Sequence, residues 1–258
     1  MKLIQSRENA QYKALVKLTG SARVRSRERQ TVLDGVHLLT AYLDAGCKPC
    51  QVFFNAQALT APEVNALIAR LLDVPLTLLD DKLFDELSEL KSTTGVLALI
   101  DLPVSAVPLS SCRFALVLEA IQDPGNLGSM LRSAAAAGCD AVFLSASCAD
   151  AWSPKVLRAA MGGHFVLAIQ EQQNLPALMS DFPGMKIATA LNATQRLYDC
   201  DLSGTVVFMM GNEGAGLSDE LLSLATHPVI IPMPGKVESL NVAAATAICL
   251  FEAVRQRG

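Results

Sequence analysis

The chain has 258 residues, 51% of them hydrophobic, and a formal net charge of −4. That length and composition support two domains with full cores, or one large one. No apolar run reaches the ~18 residues of a membrane span, and the opening MKLIQSRENAQYK has no apolar stretch of signal-peptide length. A soluble, cytoplasmic protein with no membrane partner is expected.

Residues 5–19 read as a helix with Tyr12, Leu15, Val16 and Leu18 on its apolar side. Residues 20–29 are polar and arginine-rich and read as a loop. Residues 1–29 carry eight basic side chains against two acidic ones, a local +6 that leaves −10 for the rest. Clustered Lys and Arg suit a polyanion partner; a solvated helix face and loop would look the same. Thr31–Leu33 reads as a strand, Val36–Leu43 as a helix closed by Gly46, and Gln51–Phe54 as a strand. Between them Cys47 and Cys50 form a CxxC. Zinc would need a second pair and a redox site would need the motif to open a helix, so these read as structural thiols. All seven cysteines fit a reducing compartment. Pro62–Leu72 reads as a helix, Pro75–Leu79 as a strand, Asp81–Leu90 as a helix and Gly95–Ile100 as a strand. Alternating strands and helices imply a mainly parallel α/β domain over residues 1–100.

Residues 101–112, DLPVSAVPLSSC, break every period and read as a linker. The alternation then resumes over 113–258. Strands are expected at Phe114–Leu118, Ala141–Leu144, Phe165–Ile169, Lys186–Leu191, Thr205–Met210 and Pro228–Ile231. Helices are expected at Asn126–Ala137, Ser153–Met161, Leu175–Ser180, Leu217–Leu224 and Leu240–Gln256. Apolar strands without alternation are buried on both faces, as in a parallel sheet covered by helices.

Three polar turns follow strands in this half. Asp123–Gly128 opens a helix, with Asn126 at its start and Arg132 six residues on. Alone it reads as a tight strand-to-helix connection; it is neither GxGxxG nor a phosphate-binding loop ending in Lys-Ser/Thr. The second turn, Gly211–Gly216, offers backbone freedom and the carboxylate of Glu213. The third, Ile231–Gly235, is stiffened by two prolines and leads to Glu238, Ser239 and Asn241. Ser239 is a candidate ligand contact; alternatively it is an ordinary helix N-cap with Asn241 exposed. The three histidines lack HExxH spacing and no GxSxG is present, so metal and triad chemistry are not expected.

Together the turns resemble the SpoU (TrmH) family of the SPOUT methyltransferases. LEAIQDPGNLGSMLRSAAAAG is similar to that family's first motif, VFMMGNEGAGLSDELL to its second and IPMPGKVESLNVAAATAICLFEAVRQ to its third. Pro234 departs from the smaller residue often found in the third loop. The resemblance implies an α/β SPOUT domain over 113–258 with a parallel sheet and a deep trefoil knot, and S-adenosyl-L-methionine as cofactor. It implies 2′-O-methylation of a ribose in RNA by a homodimer; the appended N-terminal domain favours ribosomal RNA, and transfer RNA stays open. Residues 1–100 would be a small L30e-like substrate-binding domain. Carried over residue by residue, Arg132, Asn126, Glu213, Ser239 and Asn241 are catalytic candidates, with Arg132 either base or phosphate anchor. Leu191, Gly211, Ile231, Met233 and Leu240 would hold the cofactor. The basic segment would then meet RNA through Arg23, Arg25, Arg27 and Arg29. A non-catalytic RNA-binding protein on the same fold is the alternative. A dinucleotide-binding oxidoreductase is disfavoured by the missing glycine pattern.

Overall fold

The computed structural model describes residues 1–88, 94–104 and 107–258. The chain divides into two compact units, one of Met1–Val104 with Trp152–Phe165, the other of Ser105–Ala151 with Val166–Gly258. The expected end of a helix at Leu90, and residues 105 and 106 of the 101–112 stretch, fall outside the described residues.

The first unit runs β1 (Lys2–Ile4), α1 (Ala10–Gly20), α2 (Ala22–Glu28), β2 (Gln30–Asp34), α3 (Val36–Asp44), β3 (Gln51–Phe54), α4 (Pro62–Arg70), β4 (Leu76–Leu79), α5 (Asp81–Leu87) and β5 (Val96–Asp101). Its five strands are ordered β1-β4-β3-β5-β2. β5 pairs antiparallel with both β2 and β3, while the other pairings are parallel. The sheet is therefore parallel except for β5, which inserts between two strands already laid down. Alternation of strands and helices along a chain carries no signal for that reversal. Phe53, Phe84 and Leu97 centre its core, together with Tyr12 and Leu15 from α1.

Two expectations for the N-terminal segment are corrected. The first helix starts at Ala10 rather than residue 5, because Asn9 caps it by accepting the Gln11 and Tyr12 amides and Lys2–Ile4 form β1 instead. Residues 20–29 are not a loop. Ser21 caps α2 through the Val24 amide, and arginine is a good helix former. α2 turns Arg25 inward, where it is buried and donates to the carbonyls of Leu18 and Thr19 at the end of α1. Those carbonyls have no partner within their own helix. Arg25 is thus committed to joining α1 to α2 and is withdrawn from the RNA-facing set. Arg23, Arg27 and Arg29 remain exposed, with Arg27 paired to Glu28.

The second unit contains β6 (Phe114–Leu118), α6 (Pro124–Ala136) and β7 (Ala141–Leu144). α7 (Pro154–Ala160) follows in sequence but belongs to the first unit. The chain continues with β8 (Ala168–Gln170), α8 (Leu175–Asp181), β9 (Met185–Thr189), the short β10 (Gln195–Arg196), β11 (Val206–Met210), α9 (Asp219–Ser223), β12 (His227–Ile230) and α10 (Val242–Arg257). The seven strands are ordered β10-β12-β9-β11-β6-β7-β8 and every pairing is parallel. β6 and β11, FALVL and VVFMM, are adjacent and wholly buried, as strands covered on both faces must be. All seven cysteines are free thiols; burial pushes those of Cys139 and Cys249 up to about 12.

Within the first unit, the segment 152–165 is tied down by specific contacts. Thr31 Oγ1 donates to the Trp152 carbonyl at 2.8 Å, and the Tyr42 and Phe165 rings meet edge-on at 5.0 Å. Gly162, at φ +92°, lies where a Cβ would come within 2.7 Å of the Ala41 Cβ, so only glycine fits there without a shift.

Arg25→Ala would remove the buried donors at the end of α1. Equilibrium urea unfolding should show a loss of about 1–3 kcal/mol, and an unchanged midpoint would contradict the role assigned to Arg25.

Candidate functional site

Adjacent parallel strands bring their carboxyl ends to one edge of the second unit, the usual place for a ligand in such sheets. β6 leads through residues 119–123 into α6, β11 through 211–218 to α9, and β12 through 231–241 into α10. These are the three polar turns of the sequence.

Asp123 caps α6, its Oδ1 accepting the Asn126 amide at 2.7 Å, with Pro124 in the first turn. That sets the Asn126 side chain at the head of α6. Its Nδ2 donates to Glu213 Oε1 at 2.8 Å. Its Oδ1 accepts from Asn241 Nδ2 at 2.9 Å. Asn241 in turn caps α10 by accepting the Ala243 and Ala244 amides at 2.9 and 3.3 Å. Asn241, not Ser239, is therefore the N-cap, and it makes a tertiary contact as well. One amide thus joins a residue from each of the three turns.

The 211–218 loop is held by its own backbone. Asn212 and Gly216 exchange both amide–carbonyl bonds, at 3.0 and 2.9 Å. Asn212 Oδ1 accepts the Gly214 and Ala215 amides, and its Nδ2 donates to the Ala120 carbonyl at 3.0 Å. Gly211 lies so close to the returning chain that a Cβ there would sit 2.1 Å from the Gly216 carbonyl carbon. Asn212 was not among the sequence-derived site residues. The signal was present, since an Asn two residues before a glycine often bonds the following amides and shapes a turn.

Beside the network is a cavity of about 340 Å3, lined among others by Leu191, Gly211, Glu213, Ile231, Met233, Ser239 and Leu240. Five of these are the residues expected to hold a cofactor, and two are polar candidates. Other residues of the 211–217 and 229–231 segments supply much of the rest, along with Thr189 and Asn192. The volume lies within the range of small-molecule and cofactor sites, roughly 300–1,000 Å3. Leu191 and Leu240 are 65% and 37% exposed, so the cavity has an apolar face open to an occupant. Ser239 is exposed.

Arg132 stands apart. It is on α6, six residues beyond Asn126, a rise of about 9 Å along the axis, and is exposed. Among the described residues, no side chain forms a hydrogen bond or ion pair with it. The structure therefore brings Glu213 and Asn241 each into contact with Asn126, sets Ser239 on the same cavity as Glu213, and gives the Arg132 guanidinium no side-chain partner among the described residues. The remaining sequence candidates, Arg23, Arg27 and Arg29, are on the first unit.

Comparison with known proteins bears on this arrangement. The profile of the SpoU rRNA Methylase family matches residues 113–251. An uncharacterized tRNA/rRNA methyltransferase of Synechocystis sp. is 39% identical over 242 residues, covering 90% of this chain and 86% of that protein. The 23S rRNA (guanosine(2553)-2'-O)-methyltransferase RlmP of Bacillus subtilis is 30% identical over 254 residues, covering 97% and 98%. Among solved structures, the SpoU methyltransferase AviRb from Streptomyces viridochromogenes, in complex with the cofactor AdoMet, superposes with a TM-score of 0.88 at 26% identity. That match covers 97% of this chain and 98% of the other.

Proposed function

The chain belongs to the SpoU rRNA methylase family, and from that premise we propose that it methylates the 2′-hydroxyl of a ribose in RNA with S-adenosyl-L-methionine. Ribosomal RNA is the substrate class we infer, with transfer RNA as the alternative. The observation that carries the reading is the Asn126–Glu213–Asn241 network standing beside the cavity.

The cavity suits a bent nucleoside cofactor. Apolar side chains such as Ile231 and Met233 line it together with the polar Glu213, Ser239 and Asn192, and the chain doubles back at Gly211 too closely for a Cβ. Leu191, Gly211, Ile231, Met233 and Leu240 would hold S-adenosyl-L-methionine. When bound, it supplies a methyl carbon made electrophilic by its sulfonium. The protein's task is then alignment, because an in-line displacement gains most from positioning. Asn126, fixed on both sides, and Glu213 and Ser239 on the cavity would orient the ribose. Arg132 is assigned to anchoring the target phosphate, which its planar fork suits.

The reading extends to parts that rest on likeness to the family. These are a deep knot in the second unit, a rare exception among folds, an L30e-like substrate-binding role for residues 1–100, and a homodimer. Supporting the last is Phe251, 47% exposed on α10, with Val254 one turn on. Supporting RNA contact through the first unit are the exposed Arg23, Arg27 and Arg29.

The function is tested by methyl transfer to ribosomal RNA, with 2′-O-methyl sites mapped in RNA with and without the protein. Transfer should fall about 100-fold or more in Arg132→Ala, and activity equal to wild type would remove Arg132 from the site. Retained RNA binding with no transfer by the wild-type protein would favour a non-catalytic RNA-binding role. Neutralising Arg23, Arg27 and Arg29 together should weaken RNA binding and flatten its salt dependence by up to about two units of log–log slope; an unchanged slope rejects the contact. Phe251→Asp should shift sedimentation toward monomer, and an unaltered association constant would count against α10 as the dimer face.

A further inference from the structure

We propose that Glu119 is a positioning residue of this site: through the Ser218 amide it holds the 211–218 loop, and with it Glu213, against Asn126. The proposal rests on the methyl-transfer reading for its catalytic consequence, though not for its structural one.

Glu119 is the first residue after β6. Its backbone amide donates to the Met210 carbonyl at 2.9 Å, extending the β6–β11 ladder one step past the strand. Its side-chain Oε2 accepts the Ser218 amide at 2.7 Å. A carboxylate accepting a backbone N–H is a charge-assisted bond, stronger than a neutral one. The next residue, Ala120, has φ +54°, a left-handed conformation unusual for a residue with a Cβ. Bonds on both sides hold that corner. Its amide donates to Ser145 Oγ at 3.0 Å, and its carbonyl accepts from Asn212 Nδ2 at 3.0 Å. The 211–218 loop is therefore fastened to the 119–120 corner at both its ends, by Asn212 at one and by Ser218 at the other.

Between those fastenings the loop is closed on itself by the paired amide–carbonyl bonds of Asn212 and Gly216. Those internal bonds all converge on Asn212, so their closure depends on the two fastenings that hold the ends in register. Glu213 rides on the loop, and its 2.8 Å contact with Asn126 is the loop's link to α6. Release of the Ser218 end would let the loop open around Asn212, loosening the Gly214, Ala215 and Gly216 amide bonds and swinging the Glu213 carboxylate relative to Asn126. Glu119 makes no hydrogen bond with Asn126, Glu213 or Asn241, so its effect must pass through the loop. A purely local role is the competing account. Ser218 also caps α9, its Oγ accepting the Leu221 amide at 3.3 Å, and Glu119 could serve that short helix alone.

Hydrogen exchange and kinetics on the full-length protein separate the two. In Glu119→Ala, without cofactor or RNA, the amides of Gly214, Ala215 and Gly216 should exchange about ten-fold faster or more. In Glu119→Gln, which keeps an acceptor oxygen at the same reach, they should stay within about three-fold of wild type. Acceleration confined to Leu221 and Leu222, or none at all, overturns the proposal. In methyl transfer, Glu119→Ala should lower kcat about ten-fold with KM for RNA little changed, and Glu119→Gln should recover most of it. A wild-type kcat in Glu119→Ala also overturns it. A wild-type protein that transfers no methyl group would sink the catalytic reading, while the exchange measurement would still decide the role of Glu119.

Discussion

The site depends on one side-chain amide bonded at both its nitrogen and its oxygen. Glu213 can only accept hydrogen bonds, so the Nδ2 of Asn126 must face it. Asn241 must turn its Oδ1 toward the amides of α10, so its Nδ2 points back at the Oδ1 of Asn126. Each orientation enforces the next. An aspartate at 126 would lose the donor and set two carboxylates face to face, and a serine would be too short to reach both partners. The chemistry of the three turns thus meets at a residue that only an amide can fill.

That demand reaches back into the sheet. Parallel order puts β12, β9, β11 and β6 side by side with their carboxyl ends together, which is why turns distant in sequence can share a cavity. The turns still have to approach closely. Gly211 and Gly216 allow the 211–218 backbone to double back on itself, with no space for a Cβ at 211. Asn212 then spends its side chain on the loop's own amides and on the Ala120 carbonyl. Backbone closure and side-chain fastening therefore act together, so that Glu213 is presented by a loop with little freedom of its own.

How legible this was depended on the range of the interaction. Phe114–Leu118 and Val206–Met210 announce themselves because a strand buried on both faces must be apolar throughout. The glycine turns after them were equally plain, and five cofactor-site residues named from motif resemblance line the cavity. Ser239 read as the candidate cap, since serine caps helices; Asn241 takes that place instead, and its bond to Asn126, more than a hundred residues away, has no local signal. Arg25 looked like its neighbours Arg23, Arg27 and Arg29 until the end of α1 gave it carbonyls to bond. Three-residue β1 and two-residue β10 are too short to carry a period. Nothing local marked 152–165, including α7, as belonging with the first unit, because membership in a core is decided by partners such as Thr31 and Tyr42.

The cavity also has a mixed lining. Glu213 and Ser239 supply polar groups, whereas Leu191 and Leu240 supply exposed apolar surface. Apolar surface left in water is unfavourable by about 25 cal/mol per Å2, so an occupant that covers those leucines gains from doing so. Polar and apolar members of the lining are neighbours in sequence, Ser239 beside Leu240 and Asn192 beside Leu191. An occupant that is wholly apolar would strip water from polar groups without replacing their bonds, so the lining favours a molecule with both kinds of surface. Glu213 belongs to this lining and also bonds Asn126. The 211–218 loop therefore shapes the cavity and the three-turn network together.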